Sequence, residues 1–181
     1  MRIFVGLEAL AEPEFIYEPV LLPGLLQTVV CPGAHQRSPR VRPDHAEHFV
    51  SFRLSRTQRL RDAEPLKVYA VIGEAALRLR VGNDETMQEQ YRHLVSLAER
   101  PNIILQVLWP EDGIHRGITG MFFVLTFADA EPVAYVEIQN DAIYVQDRSR
   151  VQTYVASAEN LRSVALDPEA SVALVKSLIF T

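Results

Sequence analysis

The chain has 181 residues, 48% hydrophobic and 23% charged, with a formal net charge of −5. That length buries a substantial core without cross-links, and the single cysteine, Cys31, excludes an internal disulfide framework and suits a reducing cytoplasm. The acidic balance argues against nucleic acid as the main partner, and no apolar run approaches the roughly 20 residues that span a bilayer.

Residues 4–11 read as a short opening helix; Glu8 and Glu12 spoil any signal-peptide layout. Pro19, Pro23 and Gly24 then forbid a regular element, so Val20, Leu21, Leu22, Leu25 and Leu26 are expected as a buried, irregular strap. Residues 31–43 hold three prolines and a glycine without periodicity and read as loop. Asp44, with Glu47 three residues on, opens a helix that runs to about residue 61. Arg37, Arg40, Arg42, Arg53, Arg56, Arg59 and Arg61 crowd this stretch and read as a solvated face whose arginines pair with acids elsewhere.

Residues 66–72 are rich in apolar and β-branched types and predict a strand, followed by a turn of helix at 74–79. Asn83 or Asp84 caps the clearest helix, with Met87, Tyr91, Leu94, Leu97 and Ala98 on one face and Arg100-Pro101 at its end. Strands are expected at 103–109, 121–127, 133–139 and 142–146, the last two joined through Asn140-Asp141. The unit 66–109 is strand–helix–strand and predicts a parallel pair; the last three strands should be antiparallel. Val151, Tyr154, Val155, Ala158, Leu161 and Val164 stripe a further helix, and Asp167-Pro168-Glu169 opens another. The sum is a single α+β domain over 1–181: a mixed sheet of about five strands backed by helices, two of them C-terminal.

The segment 17–28, Tyr-Glu-Pro-Val-Leu-Leu-Pro-Gly-Leu-Leu-Gln-Thr, carries a resemblance. So do Glu74 to Leu77 with Val81-Gly82, the helix from Met87 to Ala98 into Pro101-Asn102, and Gln106-Val107-Leu108. Gly113, His115, Gly117 and Tyr135-Val136-Glu137 complete it. In order and spacing these resemble the C-terminal effector domain, of unknown function and antitoxin-like, of actinobacterial Xre-type helix-turn-helix regulators. Only sixteen residues precede the segment here, so the resemblance implies a stand-alone copy without the DNA-binding domain. It also implies a protein working beside regulators or a small partner protein. The family usually continues after the strap with a helix opening in Glu/Asp-Tyr-Ala; residues 29–43 depart from that.

Candidate chemistry concentrates in the loop 110–120, with three glycines, His115 and Arg116. Long connections are often functional, His titrates near neutrality, and Arg holds carboxylate or phosphate. The loop equally reads as an exposed connection whose histidine bonds backbone. Strand alternation places Tyr135, Glu137 and Gln139 on one face, opposite the apolar Ala134, Val136 and Ile138. The first face is then solvent or the floor of a polar cavity. Glu74 suits a helix start, and Arg78 follows it at i+4 as a surface pair. Cys31, His35, His45 and His48 lack the paired knuckles of a zinc site, so no metal or cofactor is expected. Nor is there a phosphate-binding loop, a dinucleotide fingerprint or a nucleophile elbow.

Two functions fit. The first is an effector domain for a small molecule or small protein partner, compatible with a homodimer. It would contact neither DNA nor membrane, and its ligand would be held by Tyr17, Gln27, Glu74, Arg78, Arg116 and Tyr135 between strap, loop and sheet face. The second is a cofactor-free enzyme of small-molecule biosynthesis, a cyclase or isomerase, with His115 and Glu137 as its acid/base pair.

Overall fold

A computed structural model describes residues 2–28, 56–139 and 141–179. The expected loop 29–43, the first part of the helix expected at 44–61, and Cys31, His35, His45 and His48 lie outside the described residues. Helix α1 (Arg2–Leu10) leads into strand β1 (Pro13–Glu18), and a 3-10 turn (Gly24–Leu26) lies in the strap. A helical turn at 56–58 precedes β2 (Lys67–Gly73), α2 (Glu74–Arg78), α3 (Asp84–Ala98) and β3 (Ile103–Leu108). Then follow β4 (Phe122–Leu125), β5 (Val133–Glu137), β6 (Ala142–Val145), α4 (Arg148–Val164) and α5 (Pro168–Ile179).

The α+β reading holds, but among the described residues the mixed sheet has six strands, in the order β3-β2-β1-β4-β5-β6. The addition is β1, which sits in the middle. It runs parallel to β2, with Ile16 opposite Ala70, and antiparallel to β4, with Ile16 opposite Phe123. β2 and β3 are parallel, and β4, β5 and β6 antiparallel, as expected.

Helices cover both faces. Ile16, Ala70, Ile72, Leu105, Leu125 and Tyr135 meet Phe4 of α1, Leu94 of α3 and Val175 of α5. Phe15, Tyr17, Val71, Phe122 and Val124 meet Ala158 and Leu161 of α4. Burial on both sides is why β2 and β3 read as nearly continuous apolar runs rather than alternating ones.

Caps and turns follow the local sequence. The Asn83 side chain accepts the Thr86 N–H and Asp147 the Arg150 N–H, which start α3 and α4. Asp167 does the same for Ala170 in α5. Gln106 donates to the carbonyls of Arg162 and Leu166, closing the carboxyl end of α4. The outer margin of β3 is blocked at Val107, whose N–H donates to Ser171 Oγ and whose carbonyl accepts the Leu166 N–H.

The strap departs from expectation in part. Leu25 and Leu26 are 1% exposed, but Val20 is 53% and Leu21 40% exposed. Gln90 of α3 fastens the strap by receiving the Thr28 N–H and donating to the Leu26 carbonyl, and Gln27 donates to the Leu22 carbonyl. Those bonds fix its second half, while the proline-bounded first half turns its side chains outward.

Where the strap leaves β1 it crosses the end of β2 so closely that a Cβ on Gly73 would lie 2.2 Å from the Pro19 carbonyl oxygen. Gly73→Ala should therefore displace the strap and cost roughly 1–3 kcal/mol, the usual range for overpacking. A lowered urea midpoint with unchanged m-value would register it.

Candidate functional site

Strands β1, β2, β3 and β5 share one direction, so their carboxyl ends lie at the same margin of the sheet. From β1 the chain proceeds outward through β2 to β3, then returns across to β4 on the other side of β1. That reversal at β1 is the type of place where open α/β sheets leave a ligand crevice. The loop 110–120 is the connection that makes the crossing, and spanning two strands accounts for its length.

The loop is fastened over the end of β1. The Arg116 N–H donates to Asn160 Oδ1 of α4, at 3.0 Å. Gly117 packs on the Tyr17 ring, where a Cβ would come within 2.5 Å of Tyr17 Cε1. His115 meets the same ring edge-on, with centroids 5.9 Å apart, and its Nδ1 accepts the Gly117 N–H at 3.1 Å. The loop turns its apolar side chains outward: Ile114 is 91% and Ile118 67% exposed.

On the other face of β1 the margin is acidic. Glu18 ends the strand half-buried, and its pKa is pushed up to about 8 by burial and then by the charge of Glu137 at the end of β5. Met121 bridges toward that side, its sulfur receiving the Glu137 N–H. Tyr135 lies one pleat inward, its hydroxyl pKa raised to about 12 by burial, then by Glu137 and Tyr144.

The candidate residues thus fall in separate places. Tyr17, His115 and Arg116 gather on the α4 face. Tyr135 lies on the opposite face, so these residues do not enclose one pocket with it. The Tyr135 face is also neither open to solvent nor a polar floor. Tyr135 is 6% exposed, packed at 4.4 Å from the Phe4 ring and close to Phe123 and Tyr144, because α1 covers that half of the sheet. Only Glu137 and Gln139, beyond the helix, are exposed. Glu74 and Arg78 form the expected i,i+4 ion pair on α2. Gln27 lines a shallow apolar cleft with Leu21, Leu22, Ala76, Leu79 and Met87.

Glu18 was not among the candidates, nor was the buried trio of Glu8, Glu14 and Arg56 beneath α1. The alternation Glu14, Ile16, Glu18 was available in the sequence, but it has meaning only once residues 13–18 are a strand. Arg56 clasps Glu8 through Nε and Nη2 at 2.5 and 2.6 Å, with Glu8 2% exposed. Arg59, by contrast, pairs with Asp62 and donates to the Ala11 and Glu64 carbonyls. Among the described residues no cluster of three or more His, Cys, Asp or Glu is placed to hold a metal.

The fold and this margin define an α+β domain whose sheet is covered on both faces and whose strand order turns at its central strand. The chain belongs to the family described as a domain of unknown function (DUF5753), whose model matches residues 1–177. No curated protein and no solved structure matches it.

A raised carboxyl pKa has a defined consequence for stability. Glu18 binds its proton more tightly folded, at about 8, than at its ordinary 4.5. Its stabilising contribution is complete below pH 4.5 and is lost as pH rises through 8, with a limiting slope of about 1.4 kcal/mol per pH unit. Glu18→Gln should remove this slope and leave the variant more stable than wild type at pH 9, as read from denaturant unfolding across pH 5–9.

Proposed function

We propose that this domain is an effector module of the kind attached to Xre-type regulators: a cytoplasmic domain that binds a small molecule or a small protein partner and does not itself read DNA. The observation that carries the reading is Glu18. A carboxyl lifted to about 8 and half-buried beside a second carboxylate costs stability rather than adding it. It stands at the carboxyl end of the central strand, where the strand order turns. The strap and the loop 110–120 frame that margin from two sides. A protein partner has its own support in Ile114 and Ile118, two exposed isoleucines on a loop held down by Asn160 and Tyr17. The net charge of −5 and the absence of any apolar membrane-length helix among the described residues accord with neither DNA nor a bilayer as partner.

Glu18 also keeps the enzymatic reading in play, because a carboxyl with a pKa near neutrality suits proton transfer. Its companions in that role would be Glu137 and Tyr135 rather than His115, which faces the other side of β1.

A thermal-shift screen of small molecules drawn from the gene neighbourhood, run on wild type and Glu18→Gln, tests the site. A ligand that stabilises wild type and loses most of its effect in Glu18→Gln supports the reading; a shift unchanged by Glu18→Gln sinks this placement. Sequence-selective retention of duplex DNA by the isolated protein in a gel-shift assay at moderate salt would contradict the reading outright. For a converted substrate, Glu137→Gln should slow turnover by roughly 10²–10⁴-fold if Glu137 transfers a proton. It should change only affinity if Glu137 helps hold the ligand. His115→Ala should leave the saturated rate unchanged in either case.

A further inference from the structure

Beneath α1, away from the sheet margin, two buried glutamates lie together with one largely buried arginine. Glu8 projects from α1 and Glu14 from β1, at 2% and 0% exposure, while Arg56 enters from the helical turn at 56–58. Both oxygens of Glu8 receive the Arg56 guanidinium, which also lies 5.3 Å from the centre of the Phe4 ring. Both oxygens of Glu14 lack a donor among the described residues. Its strand neighbours opposite are Val68 and Leu125, which offer none.

Among the described residues the other polar groups around Glu14 are few. Glu8 and Arg56 both act on it, and Tyr135 of β5 is felt at Arg56. Arg59, on the next turn, is engaged with the Ala11 carbonyl. Among the described residues, two carboxylates against one guanidinium would leave a net negative charge in an apolar interior, with one carboxylate bonded to nothing. A buried unpaired charge of this kind neutralises itself by taking up a proton.

We propose that Glu14 is held as a neutral carboxylic acid that donates to Glu8, that Glu8 remains the carboxylate partner of Arg56, and that this one proton clamps α1 and the 56–58 turn onto β1. Among the described residues the arrangement balances: one positive and one negative charge, with both Glu8 oxygens receiving Arg56 and one Glu14 oxygen serving as a donor to Glu8. Burial and the adjoining Glu8 both raise the Glu14 pKa, against a smaller opposing pull from Arg56. A raised folded pKa means that the contribution to stability is complete below the ordinary value of 4.5 and is lost as pH rises through the folded value. Alkalinisation should therefore loosen α1 from the sheet. The inference does not depend on any ligand at the sheet margin.

The test uses the full chain carrying Glu18→Gln, which removes the other glutamate of raised pKa among the described residues, with 13C-labelled glutamate side chains. One carboxyl carbon should stay at the protonated-acid position at pH 7 and should disappear when Glu14→Gln is added. The doubly substituted protein, whose amide can still donate to Glu8, should also lose the remaining alkaline slope of stability. Glu8→Gln, by contrast, should weaken the fold across pH 5–9 because it leaves Arg56 without its charge partner. If every glutamate carboxyl is ionised at pH 7, the proposal fails, and the Glu18→Gln spectrum alone decides this even should Glu14→Gln not fold. It also fails if Glu14→Gln destabilises by the same amount at every pH.

Discussion

Strand β1 joins a parallel half-sheet to an antiparallel one, and its backbone is committed on both sides along nearly its whole length. Pro13 to Glu18 pair with Lys67 to Ile72 on one side, and Glu14 to Tyr17 with Leu125 to Phe122 on the other. Without that strand β2 and β4 have no common neighbour, and the helices on the two faces have no shared sheet to cover. Because both faces of β1 are buried, any residue on it with a charge must answer to the interior. Two of its six residues are glutamates on the same face, Glu14 inside and Glu18 at the rim. Each meets its burial by holding a proton more tightly, with a neighbouring carboxylate adding to the effect.

Most of the fold past residue 66 was legible from periodicity and caps. Met87, Tyr91, Leu94 and Leu97 are all buried on α3, and Asn83 caps it. The parallel pairing of β2 with β3 followed from the helix between them. The central strand was not legible, because Pro13 and Pro19 bound a six-residue run with no clean alternation. A strand buried on both sides loses the period of two, and its core then looks like a short apolar stretch of any kind. That omission also carried off the site. Without β1 the helix α1 had no surface to lie on, so the Tyr135 face appeared open when Phe4 covers it. The Glu8–Arg56 clasp links residues 48 apart, a separation at which no local pattern speaks.

The residues that carry the resemblance also have readable physical duties. Gly82 adopts a φ of 77°, Asn102 donates to the Leu66 carbonyl, and Gln106 closes α4. Gly117 makes room for Tyr17. These are turning, capping and packing tasks, so the shared pattern specifies a scaffold more than a chemistry. Among the described arginines of the run, Arg56 pairs with an acid elsewhere in the fold as expected, but does so largely out of solvent, against the buried Glu8.

The blocked margin at Val107 sets the arithmetic of any self-association through strands. A sheet that can be extended at two edges adds copies without limit, head to tail, and becomes a fibre. Here the β3 edge is interrupted at Val107 by Ser171 and Leu166 of the same chain, and among the described residues β6 is the sheet's other end. Two copies meeting there would use up the edge each had to give. Blocking at Val107 thus works against open-ended strand addition and in favour of a closed pair.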